Sequence, residues 1–122
     1  MPREPKDPNA LLPLKQSTYR VLLAFADGEW LHGYAIMQAV SDMSGGRETI
    51  LPGTLYAALA RMADEGLVEG REGSDDDPSG GPKRRYYRRT SFGRAVARAE
   101  SERLRALLDI AVAQRLLPGG KK

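Results

Sequence analysis

The stretch ILPGTLYAALARMADEGL, residues 50–67, constrains the fold of this chain more than any other. Leu55, Ala58, Leu59 and Met62 recur at i, i+3, i+4 and i+7, a spacing that collects them on one face of an α-helix and predicts their burial. The opposite side keeps Thr54, Tyr56, Ala57 and Arg61. Pro52 suits a first helical turn, where a missing N–H leaves no bond unmade, and Gly66 suits a left-handed C-cap. At roughly 1.5 Å per residue such a helix is only about 20 Å long. It fits a DNA major groove but is too short to stand alone, so it needs neighbours to pack on.

Those neighbours are legible on either side. Thr18, Val21, Leu22 and Phe25 show the same spacing within residues 12–26, and Asp27-Gly28 stops that first helix. Glu29 to Leu31 has room for a small strand before His32-Gly33. Ile36, Ala39, Val40 and Met43 then predict a second helix, ended by Ser44-Gly45-Gly46. The organising helix is therefore the third, entered through residues 44–51, whose Ile50 and Leu51 are expected to tuck into the core. Beyond Gly66, residues 67–72 and 83–89 flank the loop GSDDDPSGGP, which predicts a β-hairpin with a long tip. Thr90 or Ser91 sits where an N-cap belongs. From there to Leu117 a final helix carries the apolar stripe Phe92, Val96, Ala99, Leu104, Leu107, Leu108, Ala111 and Leu116.

A helix of about 25 residues spans about 38 Å, longer than so small a domain can cover. Part of its stripe is then expected to face a second copy, with Val96, Ala99, Leu104, Leu107, Leu108 and Ala111 as the seam of a homodimer. The alternative is that the helix folds back on its own core. The chain divides into a flexible arm at 1–11, a DNA-binding domain at 12–90, a dimerisation helix at 91–117 and a flexible tail at 118–122. Three helices and a two-stranded wing make this a mainly α (α+β) winged helix-turn-helix.

Charge distribution bears on what the fold does. Nineteen lysines and arginines against 16 acids give only +3, weak evidence by itself for a polyanionic partner. Residues 79–89, however, hold Lys83, Arg84, Arg85, Arg88 and Arg89 with Tyr86 and Tyr87 and no acid. Strand alternation puts Arg84, Tyr86 and Arg88 on one face and Lys83, Arg85, Tyr87 and Arg89 on the other. Such a stem can lie along phosphates, or it can be a solvated edge that deters strand pairing. Asp75, Asp76 and Asp77 at the tip would be repelled by phosphates, so the tip is expected to point away. Their spacing does not suit a metal loop.

The motifs LHGYAIMQAV (31–40), LPGTLYAALARMADEGLVE (51–69) and GPKRRYYRRTSFGRA (81–95) together resemble the PadR family of bacterial transcriptional regulators, across nearly all of residues 14–96. The resemblance implies a winged helix with a single C-terminal dimerisation helix, double-stranded DNA as partner, and DNA contacts from Tyr34, Thr54, Tyr56 and the basic stem before Tyr86-Tyr87. It also includes proteins that sense small aromatic or drug-like compounds, so Trp30 could line an effector pocket; filling the core is its simpler role. Where such proteins usually read YYxLT, this chain has Arg89 in place of the leucine, which could free Arg89 for phosphate.

Other roles compete at single residues. Tyr34 and Tyr56 could be packing aromatics. Arg61 could read a guanine edge or pair with Asp64 or Glu65 in its own helix. His32 reads as a helix-start residue. With no cysteine and one histidine, no nucleophile and base are supported by a motif, so neither an enzyme nor a metal or other cofactor is expected. No apolar run approaches the roughly 18 residues of a membrane span, and the first ten residues lack a signal-peptide core. The sequence thus leads us to expect a cytoplasmic, homodimeric, sequence-specific repressor. The rival is a winged helix that docks a protein instead of DNA.

Overall fold

A computed structural model of the chain describes residues 7–73 and 84–119. The order is a 3-10 turn at Pro8–Leu11, α1 (Gln16–Leu23), β1 (Leu31–His32), α2 (Gly33–Met43), α3 (Pro52–Asp64), β2 (Val68–Glu72), β3 (Arg85–Arg89) and α4 (Ser91–Ala113). The strands form one antiparallel sheet ordered β1-β3-β2. This is the mainly helical winged-helix architecture that the spacing predicts.

Its core is built from the expected faces. Thr18, Val21, Leu22 and Phe25 are buried, as are Leu55, Ala58, Leu59 and Met62, and Ile36 and Val40 join them from α2. Leu67, Val68, Tyr87, Val96 and Ala97 close the cluster. Gly66 takes φ +80° after α3, and the Leu67 N–H returns to the Met62 carbonyl at 2.8 Å, the left-handed helix stop for which glycine is suited. Gly45 and Gly46 are also left-handed, and they turn the chain out of α2. Ser44 Oγ accepts the Glu48 N–H at 2.7 Å, and Glu48 pairs with Arg20 at 3.0 Å, tying this turn to α1.

Several boundaries and faces differ from expectation. The first helix starts at Gln16, not Leu12, because Pro13 interrupts the segment. The end of the supposed flexible arm is the Pro8–Leu11 turn, capped by Asp7 and packed on α4; residues 1–6 lie outside the described residues. The small strand is Leu31–His32, displaced from Glu29–Leu31. Ile50 packs against the core, but Leu51 is 71% exposed, since neighbours in extended chain point to opposite sides. Met43, at the end of α2, is also exposed.

The last helix is shorter than predicted. It ends at Ala113, where Arg115 adopts φ +63° and the Leu116 N–H bonds the Ala111 carbonyl at 2.9 Å. Only its first half is in the core, through Gly93, Val96, Ala97 and Glu100. Val96 is 0% exposed within its own chain, so it leaves the predicted dimer seam: the three-helix core already covers that turn. Ala99, Leu104 and Ala111 are half-buried, while Leu107, Leu108, Ile110, Leu116 and Leu117 are exposed.

Candidate nucleic-acid interface

The outer face of α3 is free of the core. Thr54, Tyr56, Ala57 and Arg61 are all exposed, one residue on from each buried position or between them. No side chain caps the α3 N-terminus, where Leu51 is the N-cap and Pro52 the first helical residue. The positive end of the helix therefore opens beside Thr54.

Tyr56 lies at a junction. Its phenol rests against the first residue of α2, and a Cβ built on Gly33 would stand 2.7 Å from the Tyr56 Cζ. Only glycine leaves room for that ring. Tyr34, the next residue, is 67% exposed.

His32 joins this surface to the wing. Its Nδ1 accepts the Ala35 N–H at 3.3 Å, making it the N-cap of α2 and bearing out its reading as a helix-start residue. Its Nε2 is 3.1 Å from an Arg84 guanidinium nitrogen, and its ring meets Tyr86 edge-on at 5.6 Å. A continuous path thus runs from Thr54 and Tyr56 through Gly33 and His32 to Arg84 and Tyr86.

The wing's cations divide by face. Tyr87 is buried on the inner face, and Arg85, on the same side, lies over its ring at 5.8 Å and alongside Gly70. Arg88, on the outer face, pairs with Glu69 at 3.2 Å and sits over Trp30 at 4.7 Å. That pair is exposed, so it holds Arg88 weakly. Lys83 and Asp75, Asp76 and Asp77 lie outside the described residues.

Arg89 is not free for phosphate. It donates to the Leu22 carbonyl at 2.9 Å and to Asp27 Oδ1 at 2.6 Å, with its side chain only 12% exposed. It thereby fills the inward position expected of a leucine and satisfies the end of α1. The hydrogen bond from Arg89 holds the Asp27 carboxyl below its usual range against the opposing effect of burial, and the charges of Arg94 and Arg89 add to it.

Trp30 is not part of the core. It flanks the outer face of the sheet, where Arg71 of β2 also covers it at 4.1 Å, and it borders a cleft of about 580 Å³ with Arg71, Glu72, Gly73 and Tyr86. A more apolar cavity, of about 440 Å³, lies between α1, α2 and α4 and is lined by Leu14, Leu23, Val40, Met43 and Leu104. Sequence reasoning missed Arg71. Alternation along β2 puts it with Glu69 on the outer face, and the register opposite Tyr86 brings it to the aromatic row.

Among the described residues no cluster of acids and histidine is arranged to hold a metal, and no helix is long and apolar enough to cross a membrane. An uncharacterized protein X of Lysinibacillus sphaericus is 39% identical over 64 residues, 52% of this chain and 56% of that protein. The chain thus spans little more than half the length of that relative. A PadR-like transcriptional regulator of Bacillus cereus superposes with a TM-score of 0.60 at 25% identity, over 84% of this chain and 92% of the other. PadR of Bacillus subtilis in complex with operator DNA has a similar fold, with a TM-score of 0.58 at 20% identity, over 75% of this chain and 48% of the other. Residues 22–99, from the core of α1 through the buried half of α4, match the transcriptional regulator PadR-like family, and the chain belongs to it.

Proposed function

We propose that this PadR-family regulator is a homodimeric, sequence-specific repressor that binds an inverted-repeat operator. The observation that carries the reading is the side of the domain on which Tyr56 of α3 meets Gly33 at the start of α2, and the neighbouring His32 meets Arg84 of the wing. On that side α3 enters the major groove, Thr54, Tyr56 and Arg61 face base edges, and Tyr34, Arg84, Arg85 and Arg88, with Lys83 beside them in sequence, reach phosphates. The exposed second half of α4 joins two copies, so that the half-sites fall about 34 Å apart or a multiple of it. The winged helix corresponds to residues 12–90, and the repressor acts in the cytoplasm without catalysis. The PadR–operator complex of Bacillus subtilis supports the choice of duplex DNA as partner.

A small aromatic or drug-like effector has room in the cavity lined by Leu14, Leu23, Val40, Met43 and Leu104, which Ser44 and Glu48 of the helix-turn-helix also border. A ligand there touches the turn that orients α3. The test of the whole reading is selection of genomic fragments by the purified protein at about physiological salt, where nonspecific binding is weak. Enrichment of a two-fold symmetric site is expected. Retention only at low salt, with no common site, overturns sequence-specific binding and favours a wing that docks a protein.

A further inference from the structure

The outer face of the sheet carries two cations on one aromatic ring. Trp30 precedes β1, and Arg71 from β2 and Arg88 from β3 bring their guanidinium carbons to 4.1 and 4.7 Å from its centroid. The register explains the convergence: Arg71 lies opposite Tyr86, which lies opposite His32, so Arg71 reaches across the central strand to the indole. The ring's negative face attracts each guanidinium and fixes where it stands.

Glu69 pairs with Arg88 at 3.2 Å, while Arg71 makes no ion pair with the described residues. Glu72 borders the adjacent cleft, but by alternation it starts from the opposite face of β2. Two guanidiniums thus gather on one indole, and Arg71 has no carboxylate partner among the described residues; planar guanidiniums suit an oxyanion with several acceptor oxygens. Arg84 stands further along the same face, beside His32.

We infer that Trp30, Arg71 and Arg88 form a clamp for one phosphodiester of the DNA backbone. The two arginines bind the phosphate, and Trp30 is a positioning residue that holds them. This rests on the DNA-binding reading above and extends it to Arg71 and Trp30. The phosphate sits on the outer sheet face, so the clamp adds affinity without sequence preference.

The test uses the full chain and a fluorescently labelled duplex of random sequence, titrated at several salt concentrations. Arg71→Gln is expected to weaken binding several-fold and to reduce the slope of log affinity against log salt by about one, the loss of a single phosphate contact. Trp30→Leu should weaken binding in the wild-type background but add little to Arg71→Gln, and Trp30→Phe should restore most of the loss. Thermal melting of each variant separates these effects from unfolding. Because Trp30 is the only tryptophan, its emission should also change as DNA is added to the wild type. Steep salt-dependent binding by the wild type that Arg71→Gln leaves unchanged in affinity and slope overturns the clamp and spares the DNA-binding reading. Wild type that shows no salt-dependent binding overturns both.

Discussion

The phenol of Tyr56 on α3 occupies the space beside the α-carbon of Gly33 on α2, so the two helices of the helix-turn-helix are fitted to each other with no side chain between them. The atom that a new Cβ would strike is the far end of a movable ring, not backbone. Gly33→Ala is therefore expected to fold, losing about 1 kcal/mol or less, while the displaced Tyr56 weakens DNA binding several-fold. Thermal melting and anisotropy on the same sample read both quantities. Full affinity in this variant would remove Tyr56 from the interface.

Gly93 offers the opposite case. It lies in the first turn of α4, whose cap is Thr90: the hydroxyl accepts the Gly93 N–H at 2.9 Å and donates to the Gly66 carbonyl at 2.6 Å. A Cβ on Gly93 would overlap the backbone carbonyl of Leu67, which cannot swing aside. Alanine ordinarily gains about 1 kcal/mol over glycine within a helix. Here the clash is expected to dominate, with a net loss of about 2 kcal/mol on Gly93→Ala in urea denaturation. A gain in stability would show that the α4 start is not held against the α3–β2 junction.

The contrast shows what the sequence made legible. The α3 start, stop and buried face follow from local rules, because Pro52, Gly66 and the 3.6-residue period act within one helix. Thr90 as a cap is equally local. Ile50 and Leu51 look alike in sequence, and only the path of the chain over the core decides that the first goes in and the second out. Arg89 behaves as an inner-face residue because the strand register points it at Leu22 and Asp27, contacts 67 and 62 residues away in sequence. Trp30 has no periodic partner in its own segment; its place is set by Arg71 and Arg88 arriving from other strands. The α4 stripe is continuous from Val96 onward, and nothing local marks where the chain's own core stops covering it.

Glu100 makes stability depend on pH. Its side chain is 3% exposed and accepts two hydrogen bonds from Arg103, at 2.7 and 2.9 Å. Those bonds, foremost, hold the Glu100 carboxyl below its usual value near 4.5; burial opposes them, and the Arg103 charge adds to them. A folded-state pKa below the unfolded one gives stability that is complete above about pH 4.5 and lost as pH falls through the lowered value. Asp27 contributes with the same sign. Melting temperature should thus fall from about pH 5 toward pH 3, and Glu100→Gln should flatten the decline. Arg103→Gln should lower the melting temperature at neutral pH, because it leaves the buried Glu100 carboxylate without its guanidinium partner. An identical profile in wild type and Glu100→Gln would contradict this assignment.

In the proposed dimer the outer half of α4 carries the contact between copies, and its inner half packs within the chain. Leu107 and Leu108 are 52% and 53% exposed, next to Ile110 at 53%, whereas Val96 on the same helix is 0% exposed. Burying the exposed half of one such leucine against a partner contributes about 1 kcal/mol, and in a symmetric pair of helices each leucine counts twice. Leu107→Glu with Leu108→Glu is expected to yield a folded monomer by light scattering, with helical circular dichroism retained and operator binding weakened because two half-sites are no longer held together. Val96→Glu should instead lose the fold, since its carboxylate would enter the core without a partner. A double variant that keeps the mass of a dimer would place the contact between copies on another surface.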